Sequence, residues 1–481
     1  MAVLVFLHRW IGICLCLMFA AWFASGMIMI YVPFPSLSEE DRFAAGEKID
    51  IGAIAISPNE ALSKQAHSLT DRLRLINIAG RPAYVIHANA QPLVSIYADD
   101  GTSVAPLSAE TAQQIGEHFT SAIIKHLDTS VMFDQWVVHQ QFDPYRPFYR
   151  LHIADTQQTV LYISQQTGEV MQQTNSFERR WNTVGAIVHW IYPTVIRKNW
   201  ALWDQLVWWL SLIGIFGAAL GLYLGIVRLR RARNEKSFSV VSPFTGWMRW
   251  HHILGLCIGL FGFTWIVSGW LSMDHGRLFS APDPTLTQID AFKGMSVLDA
   301  AARIPLLTKQ PLADANEIEY TALAGQPLLI MKNATGEHLF ALDKLNNFRA
   351  YRPNASDVSL AATAAWPNYP IADVTLVSPE DNYAHLRERS LGKDVMRIIF
   401  SDPAATWVHV DLNSARIVSV MDRSLRVYRW LFNGLHSLDF PGLINRRPLW
   451  DITILGLLAL GLCFCMTGVV IGFRRLCNCI K

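Results

Sequence analysis

Four uncharged, strongly apolar stretches break the polar pattern of the chain: Ile11 to Val32, Leu206 to Val227, Ile253 to Met273 and Ile452 to Phe473. Each reaches the roughly 20 residues that a helix needs to cross a bilayer. The long segments between them alternate differently. Ser57-Pro58-Asn59-Glu60-Ala61-Leu62 carries helix-start chemistry, and Met295-Ser296-Val297-Leu298-Asp299-Ala300 occupies the corresponding place later in the chain. Strand-like runs follow at Pro82 to His87 and Pro327 to Lys332, after turns at Ala79-Gly80 and Ala324-Gly325. Further strands are expected at Phe148 to Ile153, Val160 to Ser164, Arg397 to Phe400 and Trp407 to Asp411, giving two hairpin-bearing modules per half. A helix-like run then covers Phe177 to Tyr192 in one half and Leu425 to Leu438 in the other, with Pro193 and Pro441 closing them. Tryptophans crowd this zone, among them Trp181, Trp190, Trp200, Trp203, Trp430 and Trp450, as in an interfacial belt.

Composition agrees: 51% of the 481 residues are hydrophobic and only 17% charged, which excludes an ordinary soluble protein. The first apolar run is longer than a signal-peptide core and lacks a small-residue cleavage site, so it reads as a retained helix. Basic residues gather at Arg9, at Arg228 to Arg249, and at Arg474, Arg475 and Lys481. By the positive-inside rule both termini and the basic loop are cytoplasmic, and the long segments lie outside. The expected division is helix 1 at 1–32, outer domain A at 33–202, helix 2 at 203–228, a basic loop at 229–249, helix 3 at 250–273, outer domain B at 274–450, helix 4 at 451–473 and a tail at 474–481. All seven cysteines fall in the spans or the tail, so the outer domains have none for disulfides. Cys477-Asn478-Cys479 alone makes no closed metal site.

The two halves repeat. His8 and His251 head matching spans 243 positions apart, and the same offset aligns Cys14 with Cys257, Trp22 with Trp265, Ser25 with Ser268 and Gly26 with Gly269. His189 and His436 are 247 apart, an offset that also aligns Arg179 with Arg426, Asp204 with Asp451, and Gly214, Gly221 and Gly225 with Gly461, Gly468 and Gly472. Two spans per half implies a pseudo-twofold axis along the membrane normal, with equivalent residues facing at equal depth. Ionisable side chains at membrane depth are costly, and recurring imidazoles there suggest ligands for something buried.

His8-Arg9-Trp10-Ile11-Gly12, Thr167-Gly168-Glu169-Val170, and Leu435-His436-Ser437-Leu438-Asp439-Phe440-Pro441-Gly442 resemble the PepSY-associated transmembrane family, which includes bacterial ferric-siderophore reductases. The resemblance runs over essentially the whole chain. It implies an α-helical membrane protein with four transmembrane helices and α+β, PepSY-like periplasmic domains, in the bacterial cytoplasmic membrane, and a core that holds haem b.

A haem needs axial ligands, an apolar slot and room between helices, which neutral imidazoles and small residues supply. Pseudo-symmetry then predicts two haems, one iron between His8 and His251 and another between His189 and His436. From His8 to Tyr31 a helix rises on the order of 35 Å, so two haems would shorten the electron steps. His252 is the rival ligand to His251, and cross-pairing such as His8 with His436 stays open. Arg179 and Arg426 are candidates for the haem propionates. The Gly217, Gly221 and Gly225 stripe serves helix packing or cofactor clearance. Asp204 and Asp451 suit helix starts, with proton uptake as the alternative. The remaining histidines, including His67, His87, His126 and His275, read as ordinary outer-domain residues, with His139 and His152 kept as weak ligand-surface candidates.

The expected function is electron transfer to a periplasmic acceptor, a ferric siderophore or other ferric chelate, because Fe(II) is held more weakly by hard oxygen ligands than Fe(III). With only eight residues after the last span, the electron donor is expected to be quinol or a separate reductase. Membrane lipid is the other expected partner, and nucleic acid is not one. The competing functions are a non-catalytic PepSY protein that binds a periplasmic partner such as a peptidase, and a permease.

Overall fold

In the computed structural model the described residues are 1–480 apart from 64–69, 89–91, 236–240, 280–282, 308 and 388–389. His67, and Lys236 of the basic loop, lie outside them. The chain forms two compact units, one of residues 1–34, 177–280 and 425–481, the other of residues 35–176 and 281–424.

The first unit is helical. Its long helices are α1 (Ala2–Met29), α2 (Trp200–Glu235), α3 (Gly246–Leu271) and α4 (Leu449–Ile480), and all four are long and apolar enough to span a membrane. They form a ring in which α1 packs on α4, α4 on α3, α3 on α2 and α2 on α1, so α1 and α3 face each other diagonally. Glycines let them approach: a Cβ on Gly214 would meet Phe19 at 2.8 Å, and one on Gly461 would meet Phe23 at 2.4 Å. In the stripe of α2, a Cβ on Gly217 would meet Ile11 at 2.6 Å and one on Gly225 would meet Leu256 at 3.2 Å, so these two serve helix packing. Trp450 departs from the expected belt. It is fully buried and its indole N–H donates to the Ser437 carbonyl at 3.1 Å.

The two runs expected as continuous helices are interrupted, each in its own way. The first is a helix over Ser176–Val184, a break at Gly185 and a short turn over Ala186–His189. A Cβ at Gly185 would lie 2.9 Å from both Ile28 and the Trp181 carbonyl, so only glycine lets the chain pass that close to α1. The second runs Arg423–Arg429, then a π-helical segment Trp430–Gly434, then Leu435–Ser437. Residues 177–199 and 425–448 belong with the helices rather than with the outer domains in which the sequence division placed them.

The second unit is α+β and antiparallel. It contains β1 (Thr70–Ile78), β2 (Arg81–Ala88), β3 (Val94–Tyr97), β4 (Ile124–Val131), β5 (Phe148–Ile153), β6 (Val160–Ser164) and β7 (Val170–Thr174). From the later half come β8 (Glu317–Leu323), β9 (Gln326–Asn333), β10 (Gly336–Leu342), β11 (Phe348–Ala350), β12 (Ile371–Leu376), β13 (Val395–Phe400), β14 (Trp407–Asp411) and β15 (Arg416–Met421). Ala79-Gly80 and Ala324-Gly325 both have positive φ, as tight hairpin turns require.

The halves do not make two separate domains here. One seven-stranded sheet runs β11-β10-β9-β8-β1-β2-β3, and β4–β7 and β12–β15 form a four-stranded sheet each. The seam is the antiparallel β1–β8 pair, with Leu73 opposite Tyr320, Arg74 opposite Glu319 and Leu75 opposite Ile318. Alternation sends Leu73, Leu75, Ile318 and Tyr320 into the core. Arg72, Arg74, Glu317 and Glu319 therefore share the other face.

Candidate haem sites in the helical unit

The four predicted histidines meet as two pairs. His8 on α1 and His251 on α3 have ring centres 6.5 Å apart, and His189 and His436 have theirs 6.2 Å apart. Two metal–imidazole bonds of about 2 Å, with about an ångström more from each nitrogen to its ring centre, give about 6 Å. His252 does not compete with His251. Its ring turns to α2, where its Nε2 lies 3.0 Å from the Gly225 carbonyl, and it packs edge-on against Phe244.

Each imidazole rests on a glycine of a neighbouring element. A Cβ on Gly221 would fall 2.6 Å from His8, one on Gly468 3.5 Å from His251, one on Gly26 3.5 Å from His189 and one on Gly269 3.6 Å from His436. A Cβ on Gly12, one turn beyond His8, would meet nothing within 4 Å.

Each ring has its Nδ1 engaged by a neighbouring oxygen. His251 Nδ1 lies 2.9 Å from Thr467 Oγ1, His189 Nδ1 3.1 Å from Ser25 Oγ, and His436 Nδ1 3.0 Å from Ser268 Oγ. A hydroxyl has one proton, and each of these three already donates it to a helix carbonyl: Thr467 to Phe464, Ser25 to Trp22 and Ser268 to Trp265. With that proton on the helix carbonyl, each hydroxyl accepts from the ring. His8 Nδ1 lies 3.0 Å from the Gly217 carbonyl, which can only accept. The Gly217 carbonyl thus holds His8 as the Nδ1–H tautomer, with the lone pair on Nε2, and the three hydroxyls offer the other rings the same arrangement. That is how a metal-binding histidine is oriented and made more basic by its second shell. Burial and the neighbouring His436 push His189 down to about 4, so this imidazole is neutral at physiological pH.

The sequence offered Ser25, Ser268, Gly26, Gly269 and Gly468 as matched positions without a role, and Gly221 as part of a stripe for packing or cofactor clearance. Their role is to hold the rings. Thr467 had no signal, because its counterpart at the 247 offset is Leu220. Arg179 and Arg426 are half-buried on the helices that lead to the second pair. Asp204 and Asp451 differ in their partners. Asp451 accepts from Tyr31 and Arg447, whereas Asp204 lies 2.5 Å from Nε2 of His275, whose ring stacks on Trp208 at 4.9 Å. His275 belongs to the helical unit, a placement its sequence context does not signal.

In the α+β unit several histidines find partners. His139 accepts from the Gln141 amide, His152 and His126 both bond Asp128, and His409 accepts from Arg397. No group of three or more His, Cys, Asp or Glu among the described residues is set to hold a metal ion. Glu169 of the Thr-Gly-Glu-Val motif reaches Arg74 with both oxygens, at 2.7 and 3.1 Å. Arg74 also binds Glu317 at 3.0 Å.

A scan against protein-family models and a comparison with curated proteins return no match to this chain.

Proposed function

We propose that this protein is a dihaem b-type oxidoreductase of the bacterial cytoplasmic membrane that passes electrons to a periplasmic ferric chelate, most suitably a ferric siderophore, to release Fe(II). The carrying observation is the pairing: four imidazoles meet in two facing pairs at ligand spacing, each with Nδ1 engaged by a hydroxyl or a carbonyl. His8 and His251 would hold one haem, His189 and His436 the other, and Arg179 and Arg426 would serve the propionates. Bound haem supplies a one-electron couple in an apolar slot, and the chain's residues orient its ligands and exclude water.

The resemblance to PepSY-associated transmembrane proteins supports this reading, with the α+β unit as the periplasmic part, both termini cytoplasmic, and quinol or a separate reductase as the donor. Internal duplication is supported by the seam, where Arg74 opposes Glu319 and residues on either side pair reciprocally, as a twofold axis through that point would arrange them. The reduced-minus-oxidised spectrum of the purified full-length protein tests the proposal. Two b-type haems are expected, with His8→Ala or His251→Ala losing one and His189→Ala or His436→Ala the other. A colourless preparation would overturn it and leave the non-catalytic, partner-binding alternative.

A further inference from the structure

We infer that His126 and His152, on strands β4 and β5, form a site for a divalent transition-metal ion, with Asp128 as the positioning residue behind both rings. The inference stands independently of the haem reading.

The two histidines face each other across the β4–β5 pair, with ring centres 5.7 Å apart. Two metal–nitrogen bonds of about 2 Å, with about an ångström more to each ring centre, span about 5 Å at a tetrahedral angle and about 6 Å in line. The observed separation falls between these. An irregularity in β4 makes the pairing. Ile124 stands opposite Ile153, so an unbroken register would bring Lys125, and not His126, to His152. Bulges re-aim side chains in this way.

Asp128 decides which ring nitrogens are free. His126 Nε2 lies 3.0 Å from one of its oxygens and His152 Nε2 3.2 Å from the other. Bonds from Arg150 foremost, and from the two imidazoles, bring this carboxyl down to about 2, so it is ionised and only accepts. Both rings therefore donate from Nε2, and as neutral imidazoles they carry the lone pair on Nδ1. A carboxylate behind a histidine orients the ring and makes its other nitrogen a better metal ligand. The side chains of His126 and His152 are 63% and 37% exposed, so an ion can reach them from solution. Asp128 and Asp134 share the single cation Arg150, which leaves the surroundings of the rings negative. Two imidazoles, with water completing the coordination, suit Zn(II), Ni(II) or Cu(II) rather than Mg(II) or Ca(II).

The sheet of β12–β15 shows that the fold does not require these residues. Its strands β12 and β13 have the same irregularity, with Ile371 opposite Phe400 and Asp373 opposite Ile399, and Arg397 binds Asp381 as Arg150 binds Asp134. At the places of His126, His152 and Asp128, 247 positions on, stand Asp373, Ile399 and Thr375. The frame is common to both sheets, and the imidazoles belong to one.

The test is a calorimetric titration of untagged full-length protein with Zn(II), with and without excess Mg(II), and pulsed electron paramagnetic resonance of the Cu(II)-loaded protein. One equivalent of bound Zn(II) should be lost in His126→Ala and in His152→Ala alike, excess Mg(II) should leave the titration unchanged, and the Cu(II) signal should report two coordinated imidazoles. Asp128→Asn should weaken Zn(II) binding about 10–100-fold, and Asp128→Glu should recover part of the loss. Replacing His118, an exposed histidine elsewhere in the same unit, should change nothing. Zn(II) binding that survives either histidine variant, a Cu(II) signal from one imidazole, displacement by Mg(II), or full affinity in Asp128→Asn would overturn the inference.

Discussion

The interior of the four-helix ring and the β1–β8 seam of the seven-stranded sheet bury polar groups in opposite ways. Among the spans, the buried polar side chains are Ser25, Ser211, His252, Ser268 and Thr467, all neutral or able to be neutral. At the β1–β8 seam, Arg74, Glu317, Glu319 and Lys332 are buried as full charges. The difference follows from what surrounds each. A charge inside a bilayer core has no water to fall back on, so the bundle satisfies its imidazoles with hydroxyls and a carbonyl. The seam stacks opposite charges at contact distance, with Arg72 on Glu317 and Glu319, Arg74 on Glu169 and Glu317, and Arg416 on Glu319. Burial alone would raise the Glu317 carboxyl, but Arg74, Lys332 and Arg72 hold it well below the usual range.

The largest effect is expected where that balance is broken. Arg74→Met leaves Glu169 and Glu317 facing each other and should cost about 3–5 kcal/mol, read as a lower denaturant midpoint of the full-length protein. Adding Glu317→Gln should recover part of the loss. An unchanged midpoint for Arg74→Met would mean the seam is held by its apolar face alone.

The bundle should be more sensitive to volume than to charge. In Gly221→Ala the new methyl would stand 2.6 Å from the His8 ring, which must move, so we expect about 1–3 kcal/mol of destabilisation and loss of the haem proposed at that pair. Gly26→Ala makes only ordinary contact with His189, at 3.5 Å, and should keep both haems. Equal haem content in the two variants would show that these glycines are not the platforms of the rings.

A smaller effect separates the regions by pH. Burial would raise the Asp381 carboxyl, but its bonds from Arg397 and from the Tyr383 and Ala384 amides bring it down to about 2. A depressed carboxyl contributes stability above its unfolded value of about 3.9. That contribution, at most about 2 kcal/mol, should fade as pH falls from about 4 to 2. In Asp381→Asn the denaturant midpoint should change less over that range. The same slope in both proteins would exclude Asp381 as its source.

Much of this was readable beforehand, for local reasons. The four spans are apolar over their whole length, and β5, β6 and β14 have the predicted ends because hydrophobic runs meet turn residues there. The histidine pairing was readable because the sequence aligns them at the 243 and 247 offsets. What escaped depends on partners remote in sequence. Trp450 looks interfacial until the Ser437 carbonyl is found beneath it, and His275 looks ordinary until Asp204 is placed beside it.

By itself the sequence determined where apolar length permits a span, where turns allow hairpins, and which positions of the two halves correspond, since each depends on neighbouring residues or on repetition. Only the tertiary structure decided that strands of both halves share one sheet, and that three hydroxyls and one carbonyl orient the four imidazoles. A hydrogen-bond acceptor as far off in sequence as Gly217 is from His8 is chosen by how the helices pack, and no local pattern records that choice.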